Sequence, residues 1–129
     1  MAFKFLSRRL VEQMHAMQIE RFGGLAGLRD EGSLESALGC PINKANYGCD
    51  DVIELAAAYL FGLGRNHAFL DGNKRIAIVS CGVFLLRHGH SIETSDALLY
   101  TFAMGIATGE IDEDGATRFL HDHTILLMP

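Results

Sequence analysis

The chain has 129 residues, 49% hydrophobic and 21% charged, which suits one domain around one core, residues 1–129, and argues against disorder. Its formal charge of −5 comes with no stripe of Lys and Arg along a helix, which argues against direct nucleic-acid binding as the main activity. No apolar run reaches the roughly 18 residues of a membrane span, because Arg65 and His67, then Arg87 and His88, close the two longest.

The opening Met-Ala-Phe-Lys-Phe-Leu-Ser-Arg-Arg has neither a long apolar segment nor a small-residue cleavage site, so a cytoplasmic location is expected. Ser7 is a good N-cap for a first helix to about Arg21, with Leu10, Val11, Met14, Met17 and Phe22 on its apolar face. Gly23-Gly24 ends it. Residues 24–32 read as a glycine-rich loop or short hairpin, with Arg29-Asp30 as a solvated turn. Ser33 caps a second helix, Leu34 to about Gly39, stopped by Pro41, and residues 42–48 read as irregular or weakly helical. Asp50 and Asp51 open a central helix from Val52 to Leu63, where acidic side chains suit the positive end of the helix dipole. Its three alanines permit close packing.

A second central helix runs from about Asn73 to Arg87 and stops at Gly89. Thr94 or Ser95 caps another, Asp96 to Thr108, ended by Gly109. Asp112 caps the last, which carries Phe119, Ile125, Leu126 and Leu127. No strand of five or more residues stands out, so the fold class is all-α: a compact bundle of five to seven helices. Cys40, Cys49 and Cys81 form no disulfide framework, and Cys81 reads as a core residue.

Between the two central helices lies Asn66-His-Ala-Phe-Leu-Asp-Gly-Asn-Lys-Arg75. A polar, ionisable segment held between two core helices reads as an active site. Asp71-Gly72-Asn73-Lys74-Arg75 is a turn into a helix, whose first amides lack internal partners and suit an anion. Gly72 lets backbone approach a phosphate, and Lys74 and Arg75 supply charge. Asp71 has the wrong sign for phosphate, and its sensible role is to hold Mg²⁺. His67 lies four residues earlier, within reach as a base. The Walker spacing is absent.

His67-x-Phe69-x-Asp71-Gly72-Asn73-Lys74-Arg75 resembles the motif of Fic proteins, and within them the Doc toxins of bacterial toxin–antitoxin pairs. The resemblance extends to Arg21-Phe-Gly-Gly-Leu-Ala-Gly, Glu54-Leu-Ala-Ala-Ala-Tyr-Leu, Phe84-Leu-Leu-Arg-His-Gly and Ala107-Thr-Gly-Glu-Ile. It implies a Fic-type helical fold with the motif loop between two central helices. It further implies that His67 deprotonates a target hydroxyl, Asp71 binds Mg²⁺, Gly72, Asn73, Lys74 and Arg75 hold the phosphates of ATP, and Phe69 anchors the loop. Lys74 stands where the commoner adenylyltransferase pattern has Gly, and Ile78 where it has a second Arg. Both departures resemble the Doc subgroup, which implies a kinase that phosphorylates elongation factor Tu and arrests translation. Fic-type adenylyl transfer is the alternative. Gly72 stands where Doc has Ala.

The self-inhibitory pattern [Ser/Thr]-x-x-x-Glu-[Gly/Asn] of many Fic enzymes is not met: Glu31-Gly32 has Gly27 at its first position. The expected partner is therefore a separate antitoxin docking a helical segment in an apolar groove. His121-x-His123 reads as a solvated helix face, His88 and His90 as a helix end, and His15 as structural. Arg65 reaches either the phosphates or a surface carboxylate.

Overall fold

The computed structural model describes residues 2–127 and contains six helices among them: α1 (Arg8–Phe22), α2 (Glu31–Asn46), α3 (Val52–Asn66), α4 (Asn73–Arg87), α5 (Asp96–Thr108) and α6 (Glu113–His123). Two three-residue strands, β1 (His90–Ile92) and β2 (Thr124–Leu126), pair antiparallel with Ser91 opposite Ile125. The fold is all-α, with this small ribbon at its edge.

Helix α3 is the hub and packs against α2, α4, α5 and α6. Its small residues make that possible. A Cβ on Gly62 would sit 3.3 Å from the Ala37 carbonyl of α2, and one on Gly64 would sit 3.1 Å from Ile106 Cγ2 of α5. Around it Leu55, Leu60, Leu63, Ile76, Phe84, Leu85, Ile106 and Leu120 are all buried. Cys81 lies fully inside this core, and burial pushes its thiol up to about 12, where it is inert.

Side-chain caps set most helix starts. Ser7 accepts from Leu10 N, Asp51 from Ile53 N, Ser95 from Leu98 N and Asp112 from Gly115 N, each typically contributing about 1 kcal/mol. Gly109 closes α5 in the left-handed conformation.

Four expectations are corrected. Helix α2 begins at Glu31, and its cap is Asp30, not Ser33: the Asp30 carboxylate accepts from Ser33 N at 3.2 Å, which holds its pKa below the usual range. The helix also continues through Pro41 to Asn46, so residues 42–46 are helical. Proline removes the donor that would serve Ala37 O, and that carbonyl lies instead against Gly62 of α3. The burial of Pro41 and the close approach of α3 offset the missing hydrogen bond. In α1 the buried face is Val11, His15 and Ile19, while Met17 and Phe22 are 66% and 56% exposed. Finally, α6 stops at His123, and Ile125, Leu126 and Leu127 lie beyond it, exposed, on β2 or just after.

Candidate active site

The segment 66–75 spans the end of α3, the loop 67–72 and the start of α4, the two most buried helices. His67 caps the C-terminus of α3 with φ 50° and ψ 50°, the only non-glycine with positive φ among the described residues. A β-carbon in that region is disfavoured by about 1–2 kcal/mol, so the surroundings must hold the turn. Arg29 does much of this. Its Nε donates to His67 O at 2.7 Å and its Nη2 to Asn66 O at 3.1 Å, which places a cation and two donors on the terminal carbonyls of α3. Arg29 is exposed, as expected of a solvated turn, and in addition braces the histidine.

The loop before α2 runs alongside the motif. Leu70 N donates to Gly27 O at 3.0 Å and Arg29 N to Ala68 O at 2.8 Å, with Leu28 bridged to Phe69. Phe69 is 2% exposed. The ring of His15 stacks on it at 3.8 Å and 14°, and His15 Nε2 donates to Asp71 O at 2.8 Å. A carbonyl only accepts, so His15 carries its proton on Nε2.

Asn73, the first residue of α4, closes the loop from the other side. Its Oδ1 accepts from Phe69 N at 3.0 Å and its Nδ2 donates to Phe69 O at 2.9 Å. Both polar ends of the side chain are therefore engaged, and what Asn73 offers a ligand is its backbone amide. Gly72 precedes it at φ 74° and ψ 21° with no side-chain cap on α4, so the first amides of the helix remain open to an anion.

A small depression at this helix end is lined by Asp71, Gly72, Asn73, Lys74, Arg75 and Tyr100. His67 does not line it and stands at the other end of the loop. The Arg75 guanidinium lies 4.9 Å from the centre of the Phe22 ring, a cation–π contact that leaves its hydrogen-bonding edge available. Neither Lys74 nor Arg75 is in an ion pair among the described residues. Asp71 is exposed, with Oδ1 accepting from Gly72 N at 2.9 Å and Oδ2 from Leu25 N at 3.3 Å. One exposed carboxylate beside open amides and two cations has the chemistry to hold Mg²⁺ if a polyphosphate is bound, since that ion takes one or two carboxylates and completes its shell with phosphate oxygens and water. No three His, Cys, Asp or Glu side chains converge as a metal cage among the described residues.

Sequence reasoning overlooked Tyr100, which reaches the cradle from α5, and the link from His15 to Asp71. The signal for the second was present: Val11, His15 and Ile19 are spaced by four, which sets His15 in the middle of the buried stripe. Arg65 makes no ion pair among the described residues; it lies 5.8 Å from the Phe61 ring and against Gly109. His121 pairs with Asp51 at 3.0 Å, and His123 donates to Phe119 O at 2.8 Å. His88 accepts from Lys4 N at 3.0 Å and donates to Phe84 O at 2.8 Å, the pattern of a neutral imidazole.

Comparison with known proteins agrees with this arrangement. The sequence model of the Fic/DOC family matches residues 5–85, which include α3, the motif loop and most of α4. A relative called protein kinase doc, from Escherichia phage P1, is 38% identical over 99 residues, 76% of this chain and 78% of its own length. Toxin Doc of Mycolicibacterium smegmatis is 44% identical over 71 residues, 53% of this chain and 54% of its own length.

Proposed function

Because this chain belongs to the Fic/DOC family, we propose that it is a Doc-type toxin that transfers the γ-phosphoryl group of ATP to a protein hydroxyl. The names of its relatives, a protein kinase and a toxin, support the two halves of this reading. Our proposed target is a serine or threonine of a translation protein, elongation factor Tu in the first place, whose modification stops translation. The observation that carries the reading is a single short loop that joins His67, fixed at the end of α3, to the uncapped start of α4 bearing Lys74 and Arg75.

In this mechanism the amides at the start of α4, with Lys74 and Arg75, hold the phosphates and draw off developing negative charge. His67 takes the proton of the target hydroxyl as its oxygen bonds to the γ-phosphorus. The bond from that phosphorus to the bridging oxygen breaks, and ADP leaves. Asp71 would hold Mg²⁺, which when bound neutralises phosphate oxygens. Phe69 and Asn73 keep the loop in register.

Adenylyl transfer is the second reading and differs in which phosphorus meets the hydroxyl. Ile78 favours the kinase, since it packs against the core and no cation stands there to fix the γ-phosphate away from His67. Control in trans by an antitoxin helix is favoured because Glu31, the sole glutamate of the partial inhibitory pattern, is engaged by Arg8 at 2.6 Å. The deciding experiment incubates the protein with a bacterial lysate and ATP labelled at the α- or the γ-phosphate. Target labelling from γ-label alone, lost in His67→Ala, Asp71→Ala and Arg75→Ala, is expected. Transfer of α-label would make the enzyme an adenylyltransferase, and no transfer of either would refute both.

A further inference from the structure

We infer that His15 is a positioning residue which locks the Asp71–Gly72 peptide in one orientation and so keeps a carbonyl out of the phosphate cradle. The glycine on one side of this peptide permits it to flip. Rotating it changes ψ of Asp71 and φ of Gly72 together, and glycine accepts both the observed φ of 74° and the alternative near about −90°. Gly72 itself does not select between them.

His15 selects. Its Nε2–H donates to Asp71 O at 2.8 Å from the inner side of the loop. The imidazole is 3% exposed and is itself held by stacking on Phe69 and by its place between Val11 and Ile19 on α1. An apolar ring would fill the same space, so the polar ring is explained by the bond it makes. Peptide planarity carries the effect outward. With the carbonyl pointing inward, the Gly72 N–H points the opposite way, where it donates to Asp71 Oδ1 at 2.9 Å. That bond orients the carboxylate, whose second oxygen takes Leu25 N at 3.3 Å. In the flipped state the carbonyl would face the open amides of α4, an acceptor where a phosphate needs donors, and Asp71 would lose its guide. There is also little room for error, because a Cβ on Gly72 would lie 3.5 Å from His15 Nε2 and 3.2 Å from Ile19 Cδ1.

The consequence for Mg²⁺ and nucleotide rests on the function proposed above; the lock itself does not. Two substitutions separate donor from ring. His15→Phe keeps the stacked ring and removes the donor, whereas His15→Gln supplies an amide N–H near the place of Nε2. Two readouts are needed: the Gly72 amide resonance of the free protein, and Mg·ADP affinity by titration calorimetry. In His15→Phe the Gly72 resonance is expected to shift or broaden and Mg·ADP affinity to fall about 10–100-fold, the usual effect of removing a group that orients a metal ligand. His15→Gln should restore most of both. An unmoved Gly72 resonance or wild-type affinity in His15→Phe overturns the inference, as does a His15→Gln protein impaired as much as His15→Phe. If His15→Phe does not fold, His15→Gln decides alone: it must keep the wild-type resonance and affinity. If the wild type fails to bind Mg·ADP, the proposed function fails, and the Gly72 resonance still decides the lock.

Discussion

Removing the Asn73 side chain separates a residue that builds the loop from one that touches the ligand. Its two hydrogen bonds close on the backbone of Phe69, a residue 2% exposed. Asn73→Ala leaves a buried N–H and C=O unpaired, at about 1–3 kcal/mol each where they stay dry. Partial hydration of the loop brings the expected loss to about 2–4 kcal/mol. At about 3–5 °C per kcal/mol for a chain of this length, the melting temperature should fall by roughly 6–20 °C. Differential scanning calorimetry measures it directly. Asn73→Asp sharpens the test. Its carboxylate still accepts from Phe69 N but opposes the Phe69 carbonyl, whereas the protonated acid donates to that carbonyl. At neutral pH this variant should therefore recover only the Phe69 N–H part of the loss and melt between the wild type and Asn73→Ala. An Asn73→Ala protein that melts like the wild type yet loses all transfer would refute the reasoning and put the side chain on the phosphates.

Two further outcomes follow from the other end of the loop. Arg29→Ala should lower γ-phosphoryl transfer strongly while costing only about 1–2 kcal/mol of stability, and Arg29→Lys should not restore the rate, because a point charge cannot serve both carbonyls; a wild-type rate in Arg29→Ala would remove it as a brace. His67→Ala should slow transfer about 10²–10⁴-fold; His67→Gly, equally inactive, should be about 1 kcal/mol more stable than His67→Ala, since glycine relieves the left-handed turn. Equal stability of the two by chemical denaturation would mean that the turn opens when the histidine is lost.

Much of this molecule is legible locally. The starts of α1, α3, α5 and α6 were readable because Ser7, Asp51, Ser95 and Asp112 act within three residues of themselves. The motif was readable because its residues are adjacent in sequence. What escaped depends on distant partners. Pro41 reads as a stop until α3 is known to pack on the turn it disturbs. The strands β1 and β2 join residues more than thirty apart in a ribbon too short to leave a periodic trace. Arg29 and His15 look like a loop cation and a helix histidine, and only the return of the chain at Asn66–Asp71 reveals what they hold.

The glycine and alanine surface of α3 has a consequence for how such an enzyme can be switched off. A helix whose backbone lies directly against its neighbours has no slack: it cannot slide or tilt without collision, and the side chain at its tip inherits that rigidity. Distorting His67 from afar would mean moving α2, α5 and α6 as well. An inhibitor that simply fills the cradle at the start of α4 meets no such resistance and leaves the catalytic geometry intact beneath it. Inhibition of that kind ends on the timescale of dissociation, with no refolding step, so the ratio of inhibitor to enzyme at each moment sets the activity.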